Sequence, residues 1–326
     1  MKKISVVVPV YFNQSSLAQL FEKLSAVART IADYDFEFVF VDDGSGDDSY
    51  ASLRTIAQTD KRVKVVKLSR NFGSFNACLA GLIYVTGDCA ILLSADLQDP
   101  PELVPQMVDR WRQGYETVMA TRRNREDGPF VKFTSAIYYS LLRKFALPTM
   151  PKGGFDFVLI DKKVIEVIKR IDERNTSLMG LILWTGFNQT TISYDRKARP
   201  FGKSRWTIQR KIKYFLDSFV SFSHAPVHFM QLLGISLAIL GALYSIFIAY
   251  QKIRYGFPVP GISALIVIVL ILNGAIMVML GVLGEYLWRN VDETKRRPNY
   301  VVSEVIQNSA VIQNGDEITP ARRIQE

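Results

Sequence analysis

The sequence predicts an α/β fold: a mostly parallel sheet with flanking helices, followed by a two-helix transmembrane hairpin. Three observations predict it. Apolar, β-branched runs alternate with helical segments over residues 4–120. Several of those runs end in turns rich in carboxylates. Two long apolar blocks without Asp, Glu, Lys or Arg lie within residues 227–283. The 326 residues give room for about two domains. A 48% hydrophobic and 22% charged composition excludes a disordered chain or a fibre. Two cysteines exclude a disulfide framework and a Cys-based zinc site. Cys78 and Cys89 read as reduced thiols of a cytosolic compartment. The apolar run after Met1-Lys2-Lys3 stops at a polar turn, so a secretory signal is not expected.

The elements follow in order. Residues 4–10 are continuously apolar, as in a strand buried on both faces. Ser15 or Ser16 can cap a helix reaching about residue 32. A second strand over 36–41 ends in Asp42-Asp43-Gly44-Ser45-Gly46 and precedes a helix over 48–59. A strand at 63–68, a helix at 75–85 and a strand at 89–93 come next. Pro101 stands where a helix accepts proline at its first position, and that helix runs to about 112. A fifth strand covers 117–120, and residues 130–145 carry apolar residues at helical spacing. Such alternation gives a parallel sheet with ligands at the carboxyl ends of its strands. The tail after Val302 reads as polar and loose.

The two apolar blocks, residues 227–250 and 262–283, are each long enough to cross a hydrocarbon core of about 30 Å. Arg196, Lys197, Arg199, Lys203, Arg205, Arg210, Lys211 and Lys213 precede the first block. Arg289, Lys295, Arg296 and Arg297 follow the second, whereas the connecting loop holds only Lys252 and Arg254. The positive-inside rule puts both termini in the cytoplasm. The net charge of +9 then matches an anionic membrane surface, and nucleic acid is not needed as a partner. Residues 205–217 alternate charges with Trp206, Ile208, Ile212, Tyr214 and Phe215, as an interfacial amphipathic helix does.

No Gly-x-Gly-x-x-Gly follows the first strand, and Gly44-Ser45-Gly46 is preceded by two aspartates that would repel a pyrophosphate. A nicotinamide-dinucleotide site is therefore rejected. Carboxylates at strand ends can bond a ribose or base, or hold a divalent cation that holds phosphates. Alternatively, Asp42 and Asp43 cap the next helix. Ser94-Ala95-Asp96-Leu97-Gln98-Asp99 offers hard oxygen ligands suited to Mg²⁺ or Mn²⁺. Asp99, just before Pro100-Pro101, reads as a helix cap.

Eight pieces in order carry a resemblance: Val7-Val8-Pro9-Val10-Tyr11, Val41-Asp42-Asp43-Gly44-Ser45, Leu68-Ser69-Arg70-Asn71-Phe72-Gly73, Ala95-Asp96-Leu97-Gln98-Asp99-Pro100-Pro101-Glu102, Ala120-Thr121-Arg122-Arg123, Gly154-Phe155-Asp156-Phe157, Phe201-Gly202-Lys203-Ser204-Arg205-Trp206 and Gly284-Glu285-Tyr286-Leu287. Over about residues 4–302 the chain resembles family 2 glycosyltransferases of the polyisoprenyl-phosphate type, the dolichyl-phosphate mannose synthases and bactoprenol glucosyltransferases. The resemblance implies a GT-A type, Rossmann-like nucleotide-binding domain over residues 1–204. It places interfacial helices at 205–225, membrane helices within 226–288 (about 227–250 and 262–287) and a cytoplasmic tail at 289–326. It implies an inverting enzyme of the cytoplasmic membrane. One sugar would pass from a nucleoside-diphosphate sugar, UDP-hexose favoured, to a polyisoprenyl phosphate such as undecaprenyl phosphate, for cell-envelope glycan modification.

The resemblance also assigns roles. Asp96, Asp156 and Arg205 are the expected catalytic residues. Asp96 and Gln98 would hold Mg²⁺ or Mn²⁺. Pro9, Tyr11, Asn13, Asp42, Asp43, Ser94, Gln98, Arg122, Arg199, Lys203 and Ser204 would bind substrate. The chain departs from the pattern in three places: Ser94 stands where the metal turn carries a first Asp, Phe12-Asn13 where the family has Asn-Glu, and Val158 where it has Arg. Two other classes remain, a processive polysaccharide synthase and a non-catalytic membrane scaffold or sugar-nucleotide binder. Gly202 breaks the synthase Gln-x-x-Arg-Trp motif. The sugar is not readable, and a homo-oligomer is left open by Gly234, Gly241, Gly274 and Gly281.

Overall fold

A computed structural model describes residues 1–123, 129–195, 217, 220–256, 261–308 and 310–314. The chain divides into two compact units, Met1–Ser218 with Arg297–Glu326, and Phe219–Arg296. The first unit begins β1 (Lys2–Val10), α1 (Gln14–Thr30), β2 (Tyr34–Asp42), α2 (Ser49–Thr59), β3 (Val63–Leu68), α3 (Ser74–Ile83) and β4 (Cys89–Leu92). A short 3-10 turn, Pro101–Leu103, runs into α4 (Val104–Arg112). Then come β5 (Thr117–Arg122), α5 (Pro129–Phe145), β6 (Phe155–Asp161), α6 (Lys162–Arg170), α7 (Leu178–Trp184) and β7 (Gln189–Tyr194). After the second unit the chain returns as β8 (Val302–Gln307) and β9 (Ala310–Asn314).

Among the described residues these strands form one sheet in the order β7-β5-β6-β4-β1-β2-β3-β8-β9. The centre, β3-β2-β1-β4, is parallel, as the alternation predicts. The flanks change the expected picture. β6 inserts between β4 and β5 and runs antiparallel to both, while β8 is antiparallel to β3 and to β9. The sheet is therefore mixed. The antiparallel β6 puts its first residues, Phe155 and Asp156, beside the carboxyl ends of β4 and β5.

One face of the sheet presents Val6, Val8 and Val10 of β1 and Phe38 and Phe40 of β2. They pack with Leu17, Leu20 and Leu24 of α1, Leu53 of α2 and Trp111 of α4. Each large apolar side chain so enclosed contributes about 1.5–3 kcal/mol. On the opposite face α3 lies very close to the strands. A Cβ on Gly81 would stand 3.0 Å from Val41 Cγ2 and collide with Val7 Cγ1, so glycine permits the approach. Cys78 and Cys89 are buried and unbridged. Burial, reinforced by Asp43 and Asp156, pushes the Cys78 thiol up to about 12, which leaves it unreactive.

Residues 302–307 and 310–314 of the tail are not loose. β8 pairs with β3 in the register Val65↔Ile306 and Val66↔Val305. Val305 and Ile306 are buried there. Tyr50 Oη donates to Glu304 Oε2 at 2.6 Å, and Ser303 Oγ to the Lys67 carbonyl at 3.1 Å. β3 would otherwise leave a row of unpaired amide groups at the edge of the sheet, and the returning chain covers it.

The second unit holds α8 (Ala225–Tyr255) and α9 (Ile262–Thr294). Their 31 and 33 residues correspond to lengths of about 46 and about 50 Å. Leu232, Ile239, Leu243 and Phe247 of α8, and Leu272, Met277 and Leu280 of α9, are exposed. Two apolar helices of that length, with large side chains turned outward, have the length and composition to cross a membrane. α8 stops at Gly256, whose φ of 64° is the left-handed closing conformation that glycine takes without strain. Near the end of α9, Glu285 and Arg289 pair at 2.8 Å one turn apart.

If β8 closes the sheet edge, a chain ending at residue 300 should lose stability. Exposing the sites of Val305 and Ile306 costs on the order of 3 kcal/mol or more. Thermal unfolding in detergent is expected to fall by several degrees, with aggregation through β3. An unchanged transition would show that the tail is dispensable.

Candidate active site

The site is built at one edge of the sheet. β1, β2 and β4 are parallel, so their carboxyl ends lie together. The Asp43 amide bonds the Val10 carbonyl at 2.8 Å, which joins the ends of β2 and β1. Tyr11, Phe12 and Asn13 turn the chain from β1 into α1. Asn13 Oδ1 accepts from the Tyr11 amide at 3.0 Å, and Ser45 Oγ accepts from the Phe12 amide at 3.1 Å. Phe12 holds a φ of 54°, unusual for a side-chain-bearing residue and fixed by these bonds. Ser16 is not the helix cap. It is buried in the first turn of α1, and its hydroxyl reaches the Ala95 carbonyl at 2.8 Å, tying the helix to the 94–99 turn.

The paired aspartates separate into two roles. Asp43 accepts from the Phe72 amide at 2.7 Å, the Gly73 amide at 2.9 Å and Asn71 Nδ2 at 3.0 Å. It therefore anchors the loop after β3, where sequence reading expected a substrate contact. Gly44 makes this possible: its φ is 69°, and a Cβ there would lie 2.5 Å from the Arg70 carbonyl carbon. Asp42 is fully buried, and among the described residues only Ser45 is close enough to bond it, through Oδ1 at 3.3 Å. Its Oδ2 has no hydrogen-bond partner among those residues. Burial raises the Asp42 carboxyl above its usual range, against the bonds from Ser45 and the attraction of Lys67. A shielded acceptor of this kind is suited to a ligand donor. Pro9 sits half-buried on β1 opposite Val41, next to it.

The 94–99 turn continues β4. Asp96 and Gln98 are half-buried, and Asp96 Oδ1 accepts from the Gln98 amide at 3.2 Å. Leu97 takes a φ of 60° to make the turn. Ser94 Oγ stands 2.9 Å from Asp96 Oδ1 and 2.5 Å from Asp99 Oδ2. Asp99 is fully buried and also accepts from Tyr194 Oη at 2.6 Å. It is not the helix cap that the sequence suggests. Among the described residues no group of three or more His, Cys, Asp and Glu side chains is gathered for a metal. The turn instead offers one half-buried carboxylate with hydroxyl and amide oxygens beside it. That hard-oxygen set fits Mg²⁺ or Mn²⁺, which take much of their shell from phosphate and water.

Across the sheet, antiparallel β6 brings Asp156 to the same edge. Its carboxylate is exposed and paired with Arg122 at the end of β5. Burial works against the Arg122 charge, but Asp156, Tyr194 and Asp99 outweigh it and hold the guanidinium above its usual range. Gly154, with a φ of 70°, is packed against the Tyr139 ring of α5. Arg199, Lys203, Ser204 and Arg205 lie outside the described residues, as does most of the expected interfacial segment 205–225. Tyr194, absent from the sequence-based site, had no recognisable signal: its role comes from the parallel pairing of β7 with β5.

Residues 5–169 match the model of glycosyl transferase family 2. An uncharacterized glycosyltransferase of Synechocystis is 38% identical over 93% of this chain and 95% of its own length. A bactoprenol glucosyl transferase of Shigella phage SfX is 34% identical over 92% of this chain and 98% of its own length. Among solved structures, the glucosyl-3-phosphoglycerate synthase of Mycobacterium tuberculosis with Mn²⁺, UDP-glucose and phosphoglyceric acid aligns over 62% of this chain and 73% of that one. Its identity is 19% and its TM-score 0.44. The chain is a glycosyltransferase belonging to glycosyl transferase family 2.

Proposed function

We propose that the protein transfers one sugar, with inversion, from a nucleoside-diphosphate hexose to a polyisoprenyl phosphate at the cytoplasmic membrane. The observation that carries this reading is the match to a bactoprenol glucosyl transferase over nearly the whole of both chains, apolar helices included. The proposed donor is a UDP-sugar and the proposed acceptor undecaprenyl phosphate, and the word bactoprenol in that relative's name supports a polyprenyl acceptor. The product would be a lipid-linked sugar for modifying cell-envelope glycans. The covalent path of the chain supports a hairpin. Met1–Ser218 and Arg297–Glu326 belong to one folded unit, so a membrane crossed between them must be crossed an even number of times. The flanking Lys and Arg residues favour the cytoplasm for that unit.

The chemistry needs little from the protein beyond placement and charge. A phosphomonoester has a second pKa of about 6 and is already nucleophilic at neutral pH. Asp156 is paired with Arg122, which suits it to orienting a hydroxyl or the guanidinium rather than to taking a proton. Asp42, with its shielded unpartnered oxygen, would accept from a ribose hydroxyl or base N–H, beside Pro9 and Tyr11. Asn13 and Asp43 would act behind them, holding the two loops. Asp96 and Gln98, with Ser94, would hold a divalent ion, which when bound neutralises the departing diphosphate. Arg122, and Arg199, Lys203, Ser204 and Arg205 from the basic segment, would grip the diphosphate and the acceptor phosphate.

A panel of UDP- and GDP-sugars with undecaprenyl phosphate and Mg²⁺ or Mn²⁺, read by mass spectrometry of the lipid, tests the reaction. The expected product is polyprenyl phosphate carrying one hexose, with Asp96→Ala lowering turnover about 100-fold or more. A longer sugar ladder would establish a processive synthase instead, and nucleotide binding without any product would establish a sugar-nucleotide binder.

Asp42 gives a second test. Burial makes it harder to ionise in the fold than in the unfolded chain. Its ionisation therefore disfavours the fold at neutral pH and has no effect well below the ordinary carboxylate pKa of about 3.9. Asp42→Asn should raise the midpoint of thermal unfolding at pH 7 by about 2 °C, and the gain should vanish as the pH falls. The same substitution should weaken nucleotide binding in calorimetry. Unchanged nucleotide affinity would remove Asp42 from the site.

A further inference from the structure

We propose that Asp99 and Tyr194 are positioning residues, a buried polar link that sets the Ser94–Asp96 turn against the Arg122–Asp156 pair. The inference rests on reading this sheet edge as the sugar-nucleotide site.

The link is continuous in the structure. Ser94 Oγ, between Asp96 Oδ1 and Asp99 Oδ2, is closer to Asp99 at 2.5 Å. Asp99 uses its other oxygen to accept from Tyr194 Oη at 2.6 Å. Tyr194 is the register partner of Arg122 on the neighbouring strand, and the Arg122 charge and the Tyr194 hydroxyl act on each other electrostatically. Arg122 pairs in turn with Asp156. The path runs from the turn after β4 to the ends of β7, β5 and β6, through a carboxylate that has no contact with solvent.

Its physical purpose follows from the residue at position 94. A serine cannot supply the negative charge that a carboxylate at that position would. Asp99 supplies one immediately behind it and takes the Ser94 hydroxyl proton in a hydrogen bond. The hydroxyl is thereby fixed with its lone pairs directed away from Asp99. A buried carboxylate needs compensating donors, and Ser94 and Tyr194 provide them. The compensation has a geometric consequence: the turn cannot move relative to Arg122 without breaking a buried charge-assisted bond. Asp99 and Tyr194 would touch neither sugar nor phosphate, and they would act through Ser94 and Arg122.

The test is a double-mutant cycle on the full chain in detergent. UDP and GDP are each titrated calorimetrically with Mn²⁺, the tighter nucleotide is carried forward, and thermal unfolding is recorded alongside. Tyr194→Phe keeps the ring and removes one hydroxyl, and Ser94→Ala removes the other end of the link. Each is expected to weaken nucleotide binding about tenfold, and the double variant to be little worse than either alone, because they break one network. Asp99→Asn should behave like Tyr194→Phe. Effects that multiply in the double variant would overturn the link. So would a lowered unfolding temperature with unchanged nucleotide affinity, which is what a purely structural tyrosine gives. Sugar transfer by the wild type is measured separately. Nucleotide binding without transfer would overturn the proposed reaction and leave the link to be decided by the cycle, whereas no binding of either nucleotide would overturn both.

Discussion

Three carboxylates, Asp42, Asp43 and Asp99, are buried at the carboxyl ends of the central strands. A carboxylate removed from water must be given donors or it will destabilise the fold. The loops around the site are arranged by how each demand is met. Asp43 is met largely by backbone: donors from residues 71–73 fold the loop after β3 onto the end of β2. Asp99 is met by side chains from two different strand ends, Ser94 and Tyr194. Asp42 is met only in part, through Ser45, and one oxygen is left over among the described residues. The same chemistry thus produces a wall, a brace and a shielded acceptor.

The parallel centre of the sheet was legible because continuous apolar runs such as residues 4–10 and 63–68 alternate with helical segments. The two long apolar helices were legible because uncharged apolar runs of that length stand out in the sequence. Asp42 and Asp96 stood out as carboxylates where strands end. The distinction between Asp42 and Asp43 was not legible. Adjacent residues at a strand end point to opposite sides, and which one meets the loop after β3 depends on how closely Gly44 lets Arg70 approach. Asp99 was misread for a related reason. Its position before two prolines suits a helix cap, but burial beneath Ser94 gives it other partners. β8 was hidden by its polar setting, since Ser303, Glu304 and Gln307 dilute the apolar pattern of Val302, Val305 and Ile306. Its stability comes from β3, a strand more than 230 residues earlier in the chain.

The antiparallel insertion of β6 has a direct chemical effect. A fourth parallel neighbour beside β4 would bring a carboxyl end to the site. β6 brings an amino end, and with it the segment 153–156 that follows α5. Asp156 and Arg122 then meet because one strand begins where the other finishes. An ion pair between residues 34 apart in sequence is thus a product of strand direction, and it joins two elements whose order along the chain gives no hint of it.

Replacing the first carboxylate of a metal turn by serine would ordinarily argue for a weakened or lost site. The surroundings of Ser94 argue otherwise. A hydroxyl is a poor substitute for a carboxylate when it is free to rotate and uncharged, and Ser94 is neither free nor far from charge. Its orientation is set by the buried Asp99 behind it, which takes its proton, and the half-buried Asp96 lies beside it. The negative potential of the turn is retained while the buried carboxylate is kept from direct contact with a ligand. A proton-relay base is also not demanded by a phosphate nucleophile, so the turn has only to hold charge and geometry. Those are the two properties that the Asp99–Tyr194 brace secures, and the hydroxyls of Ser94 and Tyr194 are the donors that make a buried Asp99 tolerable.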